Sequence, residues 1–438
     1  MLDFEKHTLD NGLDVILHED HRCPIAAVNL WYHVGSKNEQ PGRTGLAHLF
    51  EHLMFEGSAH HDSGFFEPLQ QAGAALNGST NCDRTNYWEV VPTPALELAL
   101  WLESDRMGHL LPALTQEKFD NQRDVVINER RQRYENRPYG LVSMALMAAL
   151  FPPGHPYHWT TIGETADLEA ATLDDARAFF ERYYLPGNAS LTVAGDVDPD
   201  ATLALIRQYF EPLPGGAPAS AVPPAPPRES FDDEHGRRLV LEDRVELPRL
   251  YLAWRTPALF AEGDAGLDML AEVLSGGKTS RLYRRLVHEE RVATDVSAVQ
   301  GSREIDGWFS ITATAAPGRE LAELDDIISE EVTRLAEDGP ADDEIERGLA
   351  QVDAQFVYRL QTVGGFNGRS DQLNAYNVYA SDPGFMSADR DRYSGATAEA
   401  VRRLARRWLT PAHRVALSVV PDGAAERALV GSTPAEVS

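Results

Sequence analysis

Residues 211–230 read EPLPGGAPASAVPPAPPRES, a run whose prolines fix φ and remove backbone donors while its small residues offer little surface to bury. Such a stretch near the middle of 438 residues divides the chain into halves of similar length, and a chain this long is expected to fold as more than one core. An internal duplication is therefore the first reading to test. Near the start, Leu17-His18-Glu19-Asp20 precedes Pro24 and the alternating run Ala27-Val28-Asn29-Leu30-Trp31. After the linker, Leu241-Glu242-Asp243 precedes Pro248 and Leu250-Tyr251-Leu252-Ala253-Trp254. At the far ends, Tyr184-Leu185-Pro186 leads into Leu191–Ala194 and Asp196, and Leu409-Thr410-Pro411 leads into Leu417–Val420 and Asp422. Both pairs are offset by roughly 224 residues, as a repeat of one supersecondary plan requires.

Each half thus opens and closes with strands. Asn11-Gly12 between 4–9 and 13–18 is a strong hairpin signal. Helical periodicity predicts helices over 94–108, 115–137 and 173–184 in the first half, and over 263–275, 320–337 and 342–361 in the second. The predicted fold class is α+β, with two tandem related domains, 1–211 and 231–438, joined by the linker 212–230. Each is expected to be a mostly antiparallel sheet covered by helices.

Composition narrows the function. With 40 Lys and Arg against 68 Asp and Glu, the net charge of −28 repels a nucleic-acid backbone. The basic clusters at 130–133 and 402–407 lie at helical spacing among acidic or apolar residues and read as solvated helix faces. Two cysteines, Cys23 and Cys82, exclude a disulfide framework or cysteine metal knot and favour a reducing compartment. No run approaches about 18 uninterrupted apolar residues, so no membrane span is predicted. Residues 1–7 lack the basic-then-apolar layout of a secretory signal. The expected compartment is cytoplasmic, or periplasmic if a leader has been removed.

From Gly45 the chain reads GLAHLFEHLMFEG, a helix-length segment with Gly57 as the expected C′ residue. Its side chains are nearly all apolar, as in a buried helix, yet His48, Glu51 and His52 share one face. Buried ionisable groups without partners are costly, and a divalent metal supplies the partner directly. Histidines at i and i+4 can both bind one Zn²⁺, and a carboxylate beside the metal can take a proton from water. A catalytic zinc site needs a third protein ligand. The segment 115–137 carries Glu117, Glu129 and Glu135, of which Glu129 is favoured because the apolar run Val125-Val126-Ile127 precedes it.

His48-Leu49-Phe50-Glu51-His52, followed after 76 residues by Glu129, resembles the inverted zinc motif of the insulinase/pitrilysin family, which includes the mitochondrial processing peptidases and their bacterial relatives. Ala75–Thr80 with Asp83, Thr85 and Tyr87, His155-Pro156-Tyr157 with Ile162-Gly163, and the strand entry at 180–196 resemble further segments of that family. The resemblance implies one zinc per chain held by His48, His52 and Glu129, with Glu51 as general base. It implies that Asn77, Gly78, Ser79 and Thr80 offer an edge strand to an extended peptide, and that two such chains, or one doubled chain, close like a clam shell around a chamber.

Two positions depart from the family pattern. Seven residues before the third ligand the family carries a glutamate; here that second-shell position is Gln122. In the second half, Val287 and Thr294 stand where active members carry an Arg and a Tyr that reach the substrate from the facing domain. The expected function is a zinc endopeptidase acting on peptides or unfolded polypeptides. Its expected partner is a homologous subunit that lacks the zinc motif but carries the Arg/Tyr pair, or else a second copy in which Arg284 or Arg291 takes over. The rival reading is a non-catalytic peptide-binding or assembly subunit of the same fold.

Overall fold

The computed structural model describes residues 2–216, 226–231 and 235–437. The core of the predicted linker, 217–225, lies outside the described residues. Tertiary contacts divide the chain into two compact units: Met1–Arg130, Trp159–Val222 and Gln355–Ser387 form one, and Arg131–His158, Pro223–Ala354 and Ala388–Ser438 the other.

The first unit holds a six-stranded sheet made of β1 (Glu5–Thr8), β2 (Asp14–Glu19), β3 (Ile25–Tyr32), β4 (Ala75–Thr80), β5 (Thr85–Pro92) and β6 (Ala189–Gly195), in the order β1-β2-β6-β3-β5-β4. Asn11-Gly12 makes the predicted hairpin between β1 and β2, with Glu5 opposite Leu17. Only β2 and β6 run parallel. The second unit holds β7 (Arg237–Asp243), β8 (Arg249–Thr256), β9 (Ala293–Gly301), β10 (Gly307–Ala315), β11 (Val415–Pro421) and β12 (Thr433–Pro434), in the order β12-β7-β11-β8-β10-β9. Five strands correspond one to one: β2 to β7, β6 to β11, β3 to β8, β5 to β10 and β4 to β9, with the same single parallel pairing among them. The sixth differs, since β1 is antiparallel to β2 whereas β12 is parallel to β7. The duplication read from the sequence is thus the plan of the fold.

The compact units are not the linear halves 1–211 and 231–438, because each half lends a segment to the other's sheet. The helix Val142–Leu150, VSMALMAAL, packs on β8 and β11. It is apolar on nearly every side and needs cover all round. The helix Arg369–Ala380 packs on β3 and β6. Alternation along β3 places Asn29 and Trp31 on one face, beside Ser190 and Thr192 of β6. The helix answers with polar residues: Trp31 Nε1 donates to Asp371 (2.9 Å), the Ser190 and Thr192 hydroxyls donate to Asn374 Oδ1 (2.8 Å each), and Asn374 Nδ2 donates to the Asn29 carbonyl (2.8 Å). Every one of these polar groups is buried, so the matching is obligatory.

The opposite face of β3 carries Val28, Leu30 and Tyr32 into the apolar core. Tyr32 packs against Tyr184 (ring centroids 4.6 Å apart), and Tyr184 against Phe50 (5.0 Å). Phe50 belongs to the helix Leu46–Leu53, so this aromatic stack fixes the helix bearing the two histidines to the sheet.

Candidate metal centre

The helix Leu46–Leu53 is shorter than 45–57 and is anchored at its start. Gly45 takes φ +88, a conformation open to glycine, and a Cβ there would lie 2.9 Å from the Ile162 carbonyl oxygen. The backbone N–H groups of Gly45 and Ala47 donate to the two oxygens of Glu39 (3.0 and 2.7 Å), a carboxylate cap at the positive end of the helix. Trp159 Nε1 donates to the same carboxylate at 3.1 Å. Burial nonetheless pushes the Glu39 carboxyl up to about 8, against those three hydrogen bonds. At the other end, Phe55 N–H donates to His52 and Glu56 N–H to Leu53, three residues back, so the last turn tightens and the α-helix stops at Leu53. Gly57, with φ +103, follows that turn and is not the helix C′ residue.

His48 and His52 lie one turn apart with rings nearly perpendicular and centroids 4.9 Å apart. Glu129 comes from the helix Gln116–Arg130. Its Oε1 is 3.9 Å from His48 Nε2, and its Oε2 is 3.4 Å from His52 Nε2. Of the three glutamates open to this role in the sequence, Glu129 is the one brought to the histidines. Val126 and Ile127 are buried as expected, but Val125 is 40% exposed, so two apolar residues rather than three hold this turn to the core. The predicted helix 115–137 ends as an α-helix at Arg130 and continues as a wider turn over Arg131–Glu135, with Asn136 N–H donating to Arg131 O at 2.8 Å.

These donors fit a zinc ion. Bonds of about 2.0–2.2 Å in tetrahedral geometry separate ligand atoms by roughly 3.3–3.5 Å, and the three ligand atoms here lie within 4.8 Å of one another without one. Each ligand side chain keeps 14–23% of its surface exposed, so the cluster opens to solvent on one side.

Glu51 sits on the same helix face. Burial pushes its carboxyl above the ordinary glutamate range, with Glu129 adding to the effect, while a hydrogen bond from Thr80 and the charges of His52 and Arg84 oppose it. For His52, burial works against the charged form, but Glu129 and Glu51 outweigh it and raise the pKa. A site that gathers protons when empty releases them to a metal. Gln122 Oε1 accepts from His52 Nδ1 at 3.3 Å, and its amide nitrogen donates to Glu56. Glu56 is a further residue of this site that the motif does not mark, and its place four residues after His52 is the signal the sequence carries for it.

Asn77, Gly78, Ser79 and Thr80 lie on β4, the edge strand. A Cβ on Gly78 would approach Phe55 and Tyr87 to 3.1 Å, so glycine lets this strand lie close over the turn that follows the histidine helix. Asn77 Oδ1 accepts from Gly78 N–H (2.8 Å), and Arg84 donates to the Ser79 carbonyl (2.8 Å) and hydroxyl (2.7 Å). Thr80 ends the strand on Glu51, a contact the sequence did not announce.

A duplicated α+β fold with a His-His-Glu cluster and an adjoining carboxylate in its first unit defines a class of fold built around a candidate metal centre. Residues 14–156 match the family described as Insulinase (Peptidase family M16), and residues 170–352 match the Peptidase M16 inactive domain. The zinc protease PqqE of Helicobacter pylori is 30% identical over 360 residues, covering 82% of this chain and 80% of that protein. The chain belongs to the M16, or insulinase/pitrilysin, family. The crystal structure of a protease from Helicobacter pylori overlays with a TM-score of 0.86 at 27% identity, covering 96% of this chain and all of that one. The periplasmic protease PqqL of Escherichia coli shares the fold at a TM-score of 0.79 and 18% identity, with 98% of this chain overlaying 49% of that one.

Proposed function

We propose that this chain is a zinc metalloendopeptidase hydrolysing peptides or unfolded polypeptides within a chamber formed with a partner subunit. The observation that carries the reading is the meeting of His48, His52 and Glu129 with Glu51 on the same helix face, beside an edge strand. His48, His52 and Glu129 would hold the ion. When bound, zinc supplies Lewis acidity, lowering the pKa of water and polarising a carbonyl. Glu51 takes the proton of the attacking water and delivers it to the leaving amine nitrogen. A hydrogen bond from Thr80 opposes the rise that burial gives the Glu51 carboxyl. The outer edge of β4, from Asn77 to Thr80, pairs with an extended substrate, which selects unfolded chains.

The partner reading rests on the second unit. Val287 packs against the apolar core of its unit, and the Thr294 hydroxyl donates to Asp295 (3.0 Å). Neither offers a cationic or phenolic donor, so a homologous subunit with an Arg and a Tyr completes the grip. Among the described residues no helix is long and apolar enough to cross a membrane, and two cysteines in the whole chain suit a reducing, cytoplasmic setting. The test is cleavage of an unstructured, internally quenched peptide by metal-replete protein. Activity that chelation abolishes and zinc restores supports the reading. Equal cleavage by the Glu51→Gln protein would overturn it.

A further inference from the structure

A second group of metal-ligating side chains stands in the first unit, outside the centre described above. His60 lies in the loop that follows the histidine helix and its closing turn, and Asp105 and His109 lie on the helix Leu96–His109. One ligand atom from each falls within 4.8 Å of the other two. The rings of His60 and His109 are edge to face with centroids 4.8 Å apart and an interplanar angle of 85°. That is nearly the arrangement of His48 and His52, at 4.9 Å and 78°. In both places a carboxylate completes the set.

The carboxylate is set in advance. Asp105 is buried; one oxygen accepts from the Ser58 hydroxyl and from His60 N–H (3.3 Å), and the other faces His60 Nδ1 at 2.5 Å. Burial works against its ionisation, but the Ser58 and His60 hydrogen bonds outweigh it and hold the carboxyl below its ordinary range. A simple His60–Asp105 ion pair would account for two of the residues. It does not use the second imidazole, which is brought to the same carboxylate one helical turn on and packs edge to face on His60. His60 is 61% exposed, so its ring can turn to admit an ion.

We propose that His60, Asp105 and His109 form a second divalent-metal site that takes a borderline transition ion such as Zn²⁺ and ties the loop behind the histidine helix to the end of the helix Leu96–His109. Two imidazoles and one carboxylate favour zinc, cobalt, nickel or copper over calcium or magnesium, which require mostly oxygen ligands. Three ligands, one of them largely exposed, make this the weaker of the two sites.

The test is a titration of the metal-stripped full chain with Zn²⁺ against a chromophoric chelator, repeated with Co²⁺, whose visible spectrum reports nitrogen and oxygen coordination. Wild-type protein is expected to bind two equivalents of different affinity. His60→Ala/His109→Ala is expected to keep the tighter equivalent, which also shows that it has folded, and to lose the weaker. His48→Ala/His52→Ala is expected to keep one equivalent, with a rise in thermal midpoint on filling it. Saturation of the wild type at one equivalent overturns the proposal. So does a second equivalent that survives in the His60/His109 variant, or no binding to the His48/His52 variant.

Discussion

Gln122 Oε1 lies 3.3 Å from His52 Nδ1, at the end of the imidazole opposite Glu129. A hydrogen on Nδ1 directs the Nε2 lone pair towards the carboxylate and any ion held there, so Gln122 selects the ring's tautomer and orientation. Its own amide is held by Glu56. Replacing it with leucine is expected to weaken zinc affinity by about 10–100-fold without removing a ligand. Gln122→Glu, which restores a charged acceptor, is expected to tighten it. Competition with a calibrated chelator measures both, and equal affinities in the three proteins would show that Gln122 does not orient His52.

Glu51→Gln separates binding from chemistry. The amide keeps the shape and the contact with Thr80 but cannot take a proton from water. Zinc content should stay at the wild-type level while turnover falls by about 10²–10⁴-fold, the usual worth of a general base. The companion change, Glu129→Gln, should lose metal as well as activity. Loss of metal from Glu51→Gln would reassign Glu51 as a ligand.

Glu39 gives the cap of the histidine helix a pH dependence. Folding raises its carboxyl from 4.5 to about 8, because burial outweighs the hydrogen bonds from Ala47, Gly45 and Trp159. The folded protein therefore holds a proton that the unfolded chain releases. Glu39's contribution to stability is full below about 4.5 and is lost as pH rises through about 8. Glu39→Gln does not titrate, so its thermal midpoint relative to wild type should rise steadily between those values. A difference that stays constant over that range would mean the carboxylate is not desolvated as the geometry requires.

What the sequence made legible is what acts locally. Asn11-Gly12 places a hairpin, alternation places β3, and the i, i+3, i+4 spacing of His48, Glu51 and His52 puts three ionisable groups on one face of a helix. The recurrence of that strand plan about 224 residues on reveals the duplication. The exchanged helices were not legible, since the bonds that seat Asp371 and Asn374 join residues far apart in sequence, 184 positions for Ser190 and Asn374 and 340 for Trp31 and Asp371. The polar pattern of the helix Arg369–Ala380 reads as a solvent face until Asn29 and Ser190 are known to be buried. Thr80's contact with Glu51 was hidden for a related reason: it depends on how closely β4 approaches the helix, which Gly78 and Phe55 determine in three dimensions.

Val287 lies in the wide turn Tyr283–Glu289 and packs on the core, while Thr294 lies on β9, the edge strand that corresponds to β4, with its hydroxyl on Asp295. Arg284, one of two residues that could stand in, pairs with Glu289 at 3.4 Å. A homodimer would then carry two metal centres and no opposing grip on the scissile carbonyl. The loss of one charge-assisted donor to a developing oxyanion costs about 10²–10³-fold in turnover. The purified chain alone should therefore cleave an unstructured peptide at least about 10²-fold more slowly than the chain mixed with a homologous subunit that has the Arg and Tyr but no zinc motif. Mutating that subunit's Arg and Tyr should return the pair to the rate of the single chain. Full activity of this chain by itself, unchanged by the added subunit, would falsify the heterodimer and point to Arg284 or Arg291 as the substitute, to be tested next by their replacement with alanine.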